Sequence, residues 1–277
     1  MEHAHNPAAR RLAIQSELMS KGAVSVDALS RLLGVSLATV RRDLSQLEDE
    51  GLMRRTHGGA VIIAPRGADQ DFALREQVDS DAKRRIARCA VEMIEPDSTL
   101  FMNDGSTIFA LAREIVAQRI KLMIVTPGVN IATFLSECPT VSTYLLGGHL
   151  RHRTLGTSGD FAERMLDAFN ADTAFIAAEG FSPKYGLSFS YETDATLARL
   201  MCERAERTVI LATERKLNQR DRITALPADA ADLLITDCDT PKILKAYRDV
   251  GINVVAASLV DEAVSTNLER NVRAVST

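Results

Sequence analysis

Few folds suit the stretch from Ser25 to Ala60, because apolar spacing, caps and stop signals agree along it. Ser25 is placed to cap a short helix over Val26-Asp27-Ala28-Leu29-Ser30-Arg31-Leu32-Leu33, which Gly34 stops. Ser36 then caps a second helix predicted to run to about Glu50, in which Val40, Leu44 and Leu47 recur at i, i+4 and i+7 and form one apolar stripe. Two helices joined by a tight turn make a helix-turn-helix. The opposite face of the second helix carries Ala38, Thr39, Arg41, Arg42 and Ser45, following the cap residue Ser36. Small residues there permit close approach, and paired guanidiniums reach phosphates or guanine edges, so the face suits the major groove of double-stranded DNA.

Gly51 falls where a left-handed C-cap is wanted, and two short strands around Gly58-Gly59 would form a wing with Arg54, Arg55 and His57 near its tip. Here the chain resembles the DeoR family of bacterial transcription regulators, whose recognition helix reads V-S-x-x-T-[IV]-R-R-D-L and whose wing reads R-x-H-G-G-A. Val35 to Leu44 and Arg55 to Ala60 fit these two patterns. A lone Arg-Arg pair would read equally well as a solvated helix face; two matched motifs at this separation do not. The resemblance implies operator DNA as partner, contacted by Ser36, Ala38, Thr39, Arg41, Arg42, Ser45, Arg54, Arg55, His57 and Gly58.

A chain of 277 residues has room for one small and one larger domain. Its 46% hydrophobic and 25% charged residues fit an ordinary globular chain, and no apolar run approaches a membrane span. The start, Met-Glu-His-Ala-His-Asn-Pro, lacks a signal-peptide pattern, which points to the cytoplasm. Cys89, Cys138, Cys202 and Cys238 stand singly, without C-x-x-C spacing, and read as small buried hydrophobes; no metal or cofactor is implied. The net charge is −4, yet residues 1–60 hold eight Lys or Arg against seven Asp or Glu, leaving −5 for the remainder. Positive charge is local, so DNA affinity must rest on the Arg41, Arg42, Arg54 and Arg55 cluster and on dimeric avidity.

In chain order, residues 1–9 read as disordered, and Arg10 to Ser20 as a support helix with Leu12, Ile14, Leu18 and Met19 on its apolar positions. Arg10 and Arg11 open it, where phosphate contact and plain solubility are equally open. A winged domain over 8–63 is followed by a linker over 64–81, marked by Pro65, Gly67 and mixed charges and turning helical near Phe72. An effector domain over 82–260 and a tail over 261–277 complete the chain. The domain opens on a helix burying Ile86, Ala90 and Ile94. Seven apolar runs then alternate with amphipathic stretches: Thr99–Met102, Leu122–Thr126, Val141–Leu146, Thr173–Ala178, Thr208–Ala212, Leu233–Thr236 and Ile252–Ala256. The predicted class is α/β: a winged helix-turn-helix, then a largely parallel sheet covered on both faces.

Ligands of such sheets bind at the carboxyl ends of strands. Asn103-Asp104-Gly105-Ser106-Thr107 lies between a strand and a helix and is a plausible phosphate cradle, although Ser or Thr there also serves as a mere cap. Thr126-Pro127-Gly128, Gly147-Gly148, Glu179-Gly180 and Thr236-Asp237 lie at other strand ends. The resemblance extends to this half, since DeoR regulators carry a sensor similar to ribose-phosphate isomerases, with a D-S-G-T-T-like loop, a T-N-like strand end, a G-G turn and a late S-K-F-G-like lysine. It implies an effector site of Asn103, Asp104, Gly105, Ser106, Thr107, Thr126, Gly147, Gly148, Glu179, Lys216 and Asp237. Lys83 fits the K-x-x-I-A opening of the sensor. The chain departs from the pattern at Asn103, Asp104 and Pro127, and its lysine has lost the flanking Ser and Gly. A carboxylate beside a phosphate costs on the order of several kcal/mol at short range. Either Asp104 turns toward sugar hydroxyls, which is favoured, or the effector is not the usual phosphate.

The leading expectation is a repressor of carbohydrate genes, acting as homodimer or homotetramer and modulated by a phosphorylated sugar or sugar alcohol. Against it stands a sugar-phosphate isomerase or deaminase with Asp104, Glu179 or Asp237 as base; no compact acid/base signature supports that, and no catalytic residue is assigned. A winged domain used only for protein contact is a third reading, disfavoured by the arginine cluster.

Overall fold

The computed structural model describes residues 7–21, 23–49, 53–56, 58–62 and 72–257. They fall into two compact units, Met1–Ser80 and Asp81–Thr277.

In the first unit, α1 (Pro7–Lys21), β1 (Ala23–Ser25), α2 (Val26–Leu33), α3 (Leu37–Asp49), β2 (Met53–Thr56) and β3 (Gly59–Ile62) make a winged helix-turn-helix, followed by α4 (Phe72–Gln77). The predicted caps form. Ser25 Oγ accepts from Ala28 N at 3.1 Å, and Gly34 ends α2 in the left-handed conformation at φ 65°. Gly51 lies outside the described residues. Helix α1 starts at Pro7 rather than Arg10, and a proline opening a helix gives up no intrahelical bond. Ile14, Leu18, Leu29, Val40, Leu44, Leu47 and Met53 form the core. Leu12, expected inside, is 66% exposed. The buried row of α1 is Arg10, Ile14, Leu18 at spacings of four, and position 12 lies across the helix from it. The strands order as β1-β3-β2 and pair antiparallel. Gly59 faces Ser25 and Thr56 in this sheet, and a Cβ there would lie 2.0 Å from the Val24 carbonyl oxygen. The close approach of β3 to β1 needs that glycine.

The second unit runs α5 (Ser80–Val91), β4 (Thr99–Met102), α6 (Ser106–Gln118), β5 (Leu122–Thr126), α7 (Val129–Leu135), β6 (Val141–Leu145), β7 (His149–Arg151) and β8 (Gly156–Ser158). It continues through α8 (Asp160–Leu166), β9 (Ala171–Ile176), β10 (Gly180–Ser182), β11 (Gly186–Phe189), α9 (Glu192–Glu203), β12 (Ala205–Leu211), β13 (Ile223–Leu226), β14 (Leu233–Thr236), α10 (Pro241–Arg248) and β15 (Asn253–Ala256). Seven strands form one sheet in the order β15-β14-β12-β9-β4-β5-β6, every pairing parallel. All seven apolar runs of the sequence are its strands. The inner strands of the sheet are buried on both faces: Leu100 and Met102 of β4 enter one hydrophobic cluster and Phe101, between them, the other. Parallel strands place their carboxyl ends, and hence the loops after β4, β5, β6, β9, β12 and β14, along one rim. The hairpin β7-β8 and the small antiparallel sheet β10-β11-β13 add strands the sequence did not announce: β7, β8, β10 and β11 are short segments interrupted by glycine or polar residues, and β13 is a four-residue segment outside the parallel sheet.

Candidate DNA-reading face and effector cleft

Helix α3 is held by its apolar stripe and by its cap. Ser36 Oγ accepts from Thr39 N at 3.2 Å and lies 2.9 Å from Thr39 Oγ1, so both hydroxyls take part in fixing the first turn. Ala38, Arg41 and Arg42 are exposed, and Thr39 and Ser45 are half-buried. Arg10 does not reach outward. It is buried against Asp43, its Nε 2.5 Å from Oδ2 and its Nη2 3.0 Å from Oδ1, a bidentate pair that ties α1 to the inner side of α3. Arg11 Nη1 donates to Gln46 Oε1 at 2.7 Å on the surface. Arg54 and Arg55 lie on β2, where the backbone pairs with Val61 and Ala60; their side chains and the whole of His57 lie outside the described residues. Gly58 is exposed in the wing turn, and its carbonyl accepts from Val26 N at 3.0 Å.

Along the rim of the second unit the predicted residues divide. Asn103 is buried and joins two strand ends: its Nδ2 donates to Ala177 O at 2.8 Å and its Oδ1 accepts from Ala177 N at 3.0 Å. It braces the cleft rather than facing it. Thr126 is fully buried, with its hydroxyl accepting from Gly128 N at 3.0 Å. Asp237 accepts from Glu214 N at 2.8 Å and lies 3.7 Å from Arg85 Nη2, so it anchors the turn that carries Lys216. Gly105 has a φ of 172°, extended backbone open to any residue. It precedes α6, which starts with no side-chain cap hydrogen bond; Ser106 is half-buried and Thr107 buried at that start. Gly147 and Gly148 are exposed between β6 and β7, and a Cβ on Gly148 would meet the Ser158 carbonyl oxygen at 2.6 Å. Glu179 and Lys216 are half-buried in the loops after β9 and β12, and Lys83 is buried on α5.

Asp104 turns neither to solvent nor into an uncompensated site. Its Oδ2 lies 3.7 Å from Nη2 of Arg151, and that same nitrogen is 2.6 Å from Asp194 Oδ1. The Arg151 guanidinium also lies over the Tyr191 ring, 5.1 Å from its centroid. Sequence reasoning passed over Arg151, Tyr191 and Asp194, since a single arginine on a three-residue strand carries no periodic signal and its partners are remote in the chain. The one hint was Asp104 itself, a carboxylate in a phosphate-type loop that called for a cation.

Among the described residues no group of three or more His, Cys, Asp or Glu is arranged to hold a metal, and no helix is long and apolar enough to cross a membrane. Cys138, Cys202 and Cys238 are buried thiols, and Cys89 is half-buried.

A capped, core-anchored recognition helix with an outward arginine pair, on the same chain as an α/β unit with a polar strand-end rim, defines a DNA-binding transcription regulator with a small-molecule sensor. Residues 10–66 match the DeoR-like helix-turn-helix domain and residues 78–238 the DeoR C terminal sensor domain, and the chain belongs to the DeoR family. It is 32% identical over 249 residues to a putative aga operon transcriptional repressor of Escherichia coli O157:H7, covering 89% of this chain and 92% of that one. It is 34% identical over 231 residues to the HTH-type transcriptional regulator GlpR of Haloferax volcanii, covering 83% and 90%. A solved ribose 5-phosphate isomerase from Methanocaldococcus jannaschii is similar at 17% identity and a TM-score of 0.38, over 50% of this chain and 55% of that one.

Proposed function

We propose that this regulator represses genes of carbohydrate catabolism and that a phosphorylated sugar or sugar alcohol, bound at the strand-end rim, alters its hold on the operator. The observation that carries the DNA half is the face of α3: Ala38, Arg41 and Arg42 point outward while Val40, Asp43, Leu44 and Leu47 are locked inside. Thr39, Ser45, Arg54, Arg55, His57 and Gly58 complete the assigned contact set, and Ser36 shapes its first turn. Support for repression comes from relatives named as a putative aga operon transcriptional repressor and as the HTH-type transcriptional repressor GlcR.

For the sensor half, the assigned effector contacts are Asp104, Ser106, Thr107, Gly147, Gly148, Glu179 and Lys216, with Asn103, Gly105, Thr126 and Asp237 shaping the loops. The start of α6 offers backbone N–H groups to an anion. The isomerase reading has less support, because the Asp104 carboxylate faces Arg151 and that of Asp237 accepts the Glu214 N–H, so both are engaged within the protein. Action as a homo-oligomer in the cytoplasm is part of the proposal, since paired winged domains read half-sites a helical turn or a multiple apart and effector binding would shift their geometry.

Operator binding by Arg41→Ala tests the core of this reading. A bidentate arginine–guanine contact is worth about 1 to 3 kcal/mol of discrimination, so the variant is expected to lose roughly 5- to 150-fold of its preference for operator over random DNA while its sensor stays folded. Unchanged discrimination between operator and random DNA would remove Arg41 as a base-reading residue.

A further inference from the structure

Arg151 is the most unusual side chain in the second unit. Among the described residues, only Nη2 of its guanidinium has partners, Asp194 at 2.6 Å and Asp104 at 3.7 Å, and Nε and Nη1 are buried with no hydrogen-bond partner. A guanidinium has five donors in a planar fork, and burying part of that fork unmatched is costly. The surroundings hold it there. Tyr191 lies against the guanidinium, and the β7-β8 hairpin that carries it is tied to the end of β5 by Val129 N to Leu155 O at 2.8 Å and Thr157 N to Pro127 O at 2.9 Å. Gly156, paired with Arg151 across the hairpin, makes room for Asp104: a Cβ at 156 would lie 2.2 Å from Asp104 Oδ2. Asp104 immediately precedes the turn into α6, whose thirteen residues begin without a side-chain cap. A partly unmatched arginine fork is therefore held next to uncapped backbone N–H groups, with Asp194 as its strongest present partner.

We propose that Arg151 is a direct ligand of the effector's phosphoryl group and that Asp194 is an internal competitor that occupies the arginine until the effector displaces it. This rests on the reading of the rim as a phosphate-sensing cleft. Phosphoryl oxygens match the guanidinium fork and supply acceptors for Nε and Nη1 that Asp194, bonded at Nη2, does not. Asp194 sits in the first turn of α9, where the helix end stabilises its charge once Arg151 has left it. Asp104 stays as the counter-ion that keeps Arg151 in the cleft, which explains a carboxylate in a phosphate-type loop. Because the hairpin is bonded to the β5 end, exchange of Asp194 for a phosphoryl group at Arg151 would shift a strand-end loop and carry the signal outward.

Titration of the full-length protein with inorganic phosphate at constant ionic strength, read by calorimetry, tests the assignment. Asp194→Asn is expected to bind phosphate several-fold more tightly than the unaltered protein. Arg151→Ala should bind about tenfold or more weakly, and Arg151→Lys in between because it keeps the charge and loses the fork. If Asp194→Asn binds no more tightly than the unaltered protein, the competitor role is overturned. If Arg151→Ala, shown folded by circular dichroism, binds phosphate like the unaltered protein, the ligand role is overturned and the sensing proposal survives. Should neither the unaltered protein nor Asp194→Asn take up phosphate, the assignment and the phosphate-sensing reading fall together. Asp194→Asn is near-isosteric, so its outcome does not depend on the fold tolerating Arg151→Ala.

Discussion

Asp43 sits on the inner side of the recognition helix, where a carboxylate is tolerated because Arg10 meets it with two hydrogen bonds. Removing one partner of a buried pair strands the other charge, so Asp43→Ala is expected to destabilise the first unit by about 3 to 5 kcal/mol. The double change Arg10→Met with Asp43→Leu should recover most of that loss, as denaturant unfolding of the three proteins will report. Tyr247 ties α10 to strand β10 and to the loop at Asn218, its hydroxyl donating to Phe181 O at 2.7 Å and accepting from Asn218 N at 2.9 Å. Burial pushes its pKa up to about 12, and burial likewise pushes the Cys202 thiol to about 12. The folded chain therefore keeps protons that the unfolded chain loses near its reference values of about 10 for Tyr and about 8.5 for Cys. Their contribution to stability is complete below those values and falls as pH rises toward about 12. Tyr247→Phe should make that alkaline decline shallower while costing about 1 to 3 kcal/mol at neutral pH, a pair of effects visible in thermal unfolding against pH.

At the scale of elements, the wing and the recognition helix each depend on one small residue. A methyl group at Gly59 would drive β3 off β1, whereas Gly58, one residue away, has nothing within 4 Å of a built Cβ. Gly59→Ala is therefore expected to lower the unfolding temperature of the first unit and weaken DNA binding, with Gly58→Ala leaving the unfolding temperature close to unchanged; calorimetry of both variants makes the comparison. Loss of the Ser36 cap in Ser36→Ala should cost about 1 kcal/mol, read by denaturant unfolding, and fray the turn that carries Ala38 and Thr39. In the second unit the seven strands of the parallel sheet were legible as apolar runs between helical stretches. Strands β7, β8, β10 and β11 were not, because segments such as His149–Arg151 and Gly180–Ser182 carry polar residues and glycine instead of an apolar run, and β13 is a short Ile223–Leu226 segment paired with β11 outside the parallel sheet.

For the molecule as a whole, the effector identity is reached by thermal unfolding of the full chain against sugars, sugar alcohols and their phosphates. A ligand at about 100 times its dissociation constant adds about 2.7 kcal/mol, so one phosphorylated compound is expected to raise the transition of the second unit by a few degrees. A response confined to unphosphorylated compounds would exclude the phosphate reading of the 103–107 turn. The helix-turn-helix, its caps, the wing hairpin and the apolar runs that become the parallel strands were determined by the sequence alone. Each rests on neighbours within a few residues: Ser25 and Ser36 cap their own helices, and Val40, Leu44 and Leu47 share a stripe through helical spacing. What the tertiary structure decided is which polar residues brace and which face the cleft. Arg10 turned inward to Asp43, Asn103 joined two strand ends, and Asp104 found Arg151 on a hairpin with no signature of its own. A charge reveals its purpose through its partner, and these partners lie far apart in sequence, so only the packing of the sheet and its hairpin brings them together.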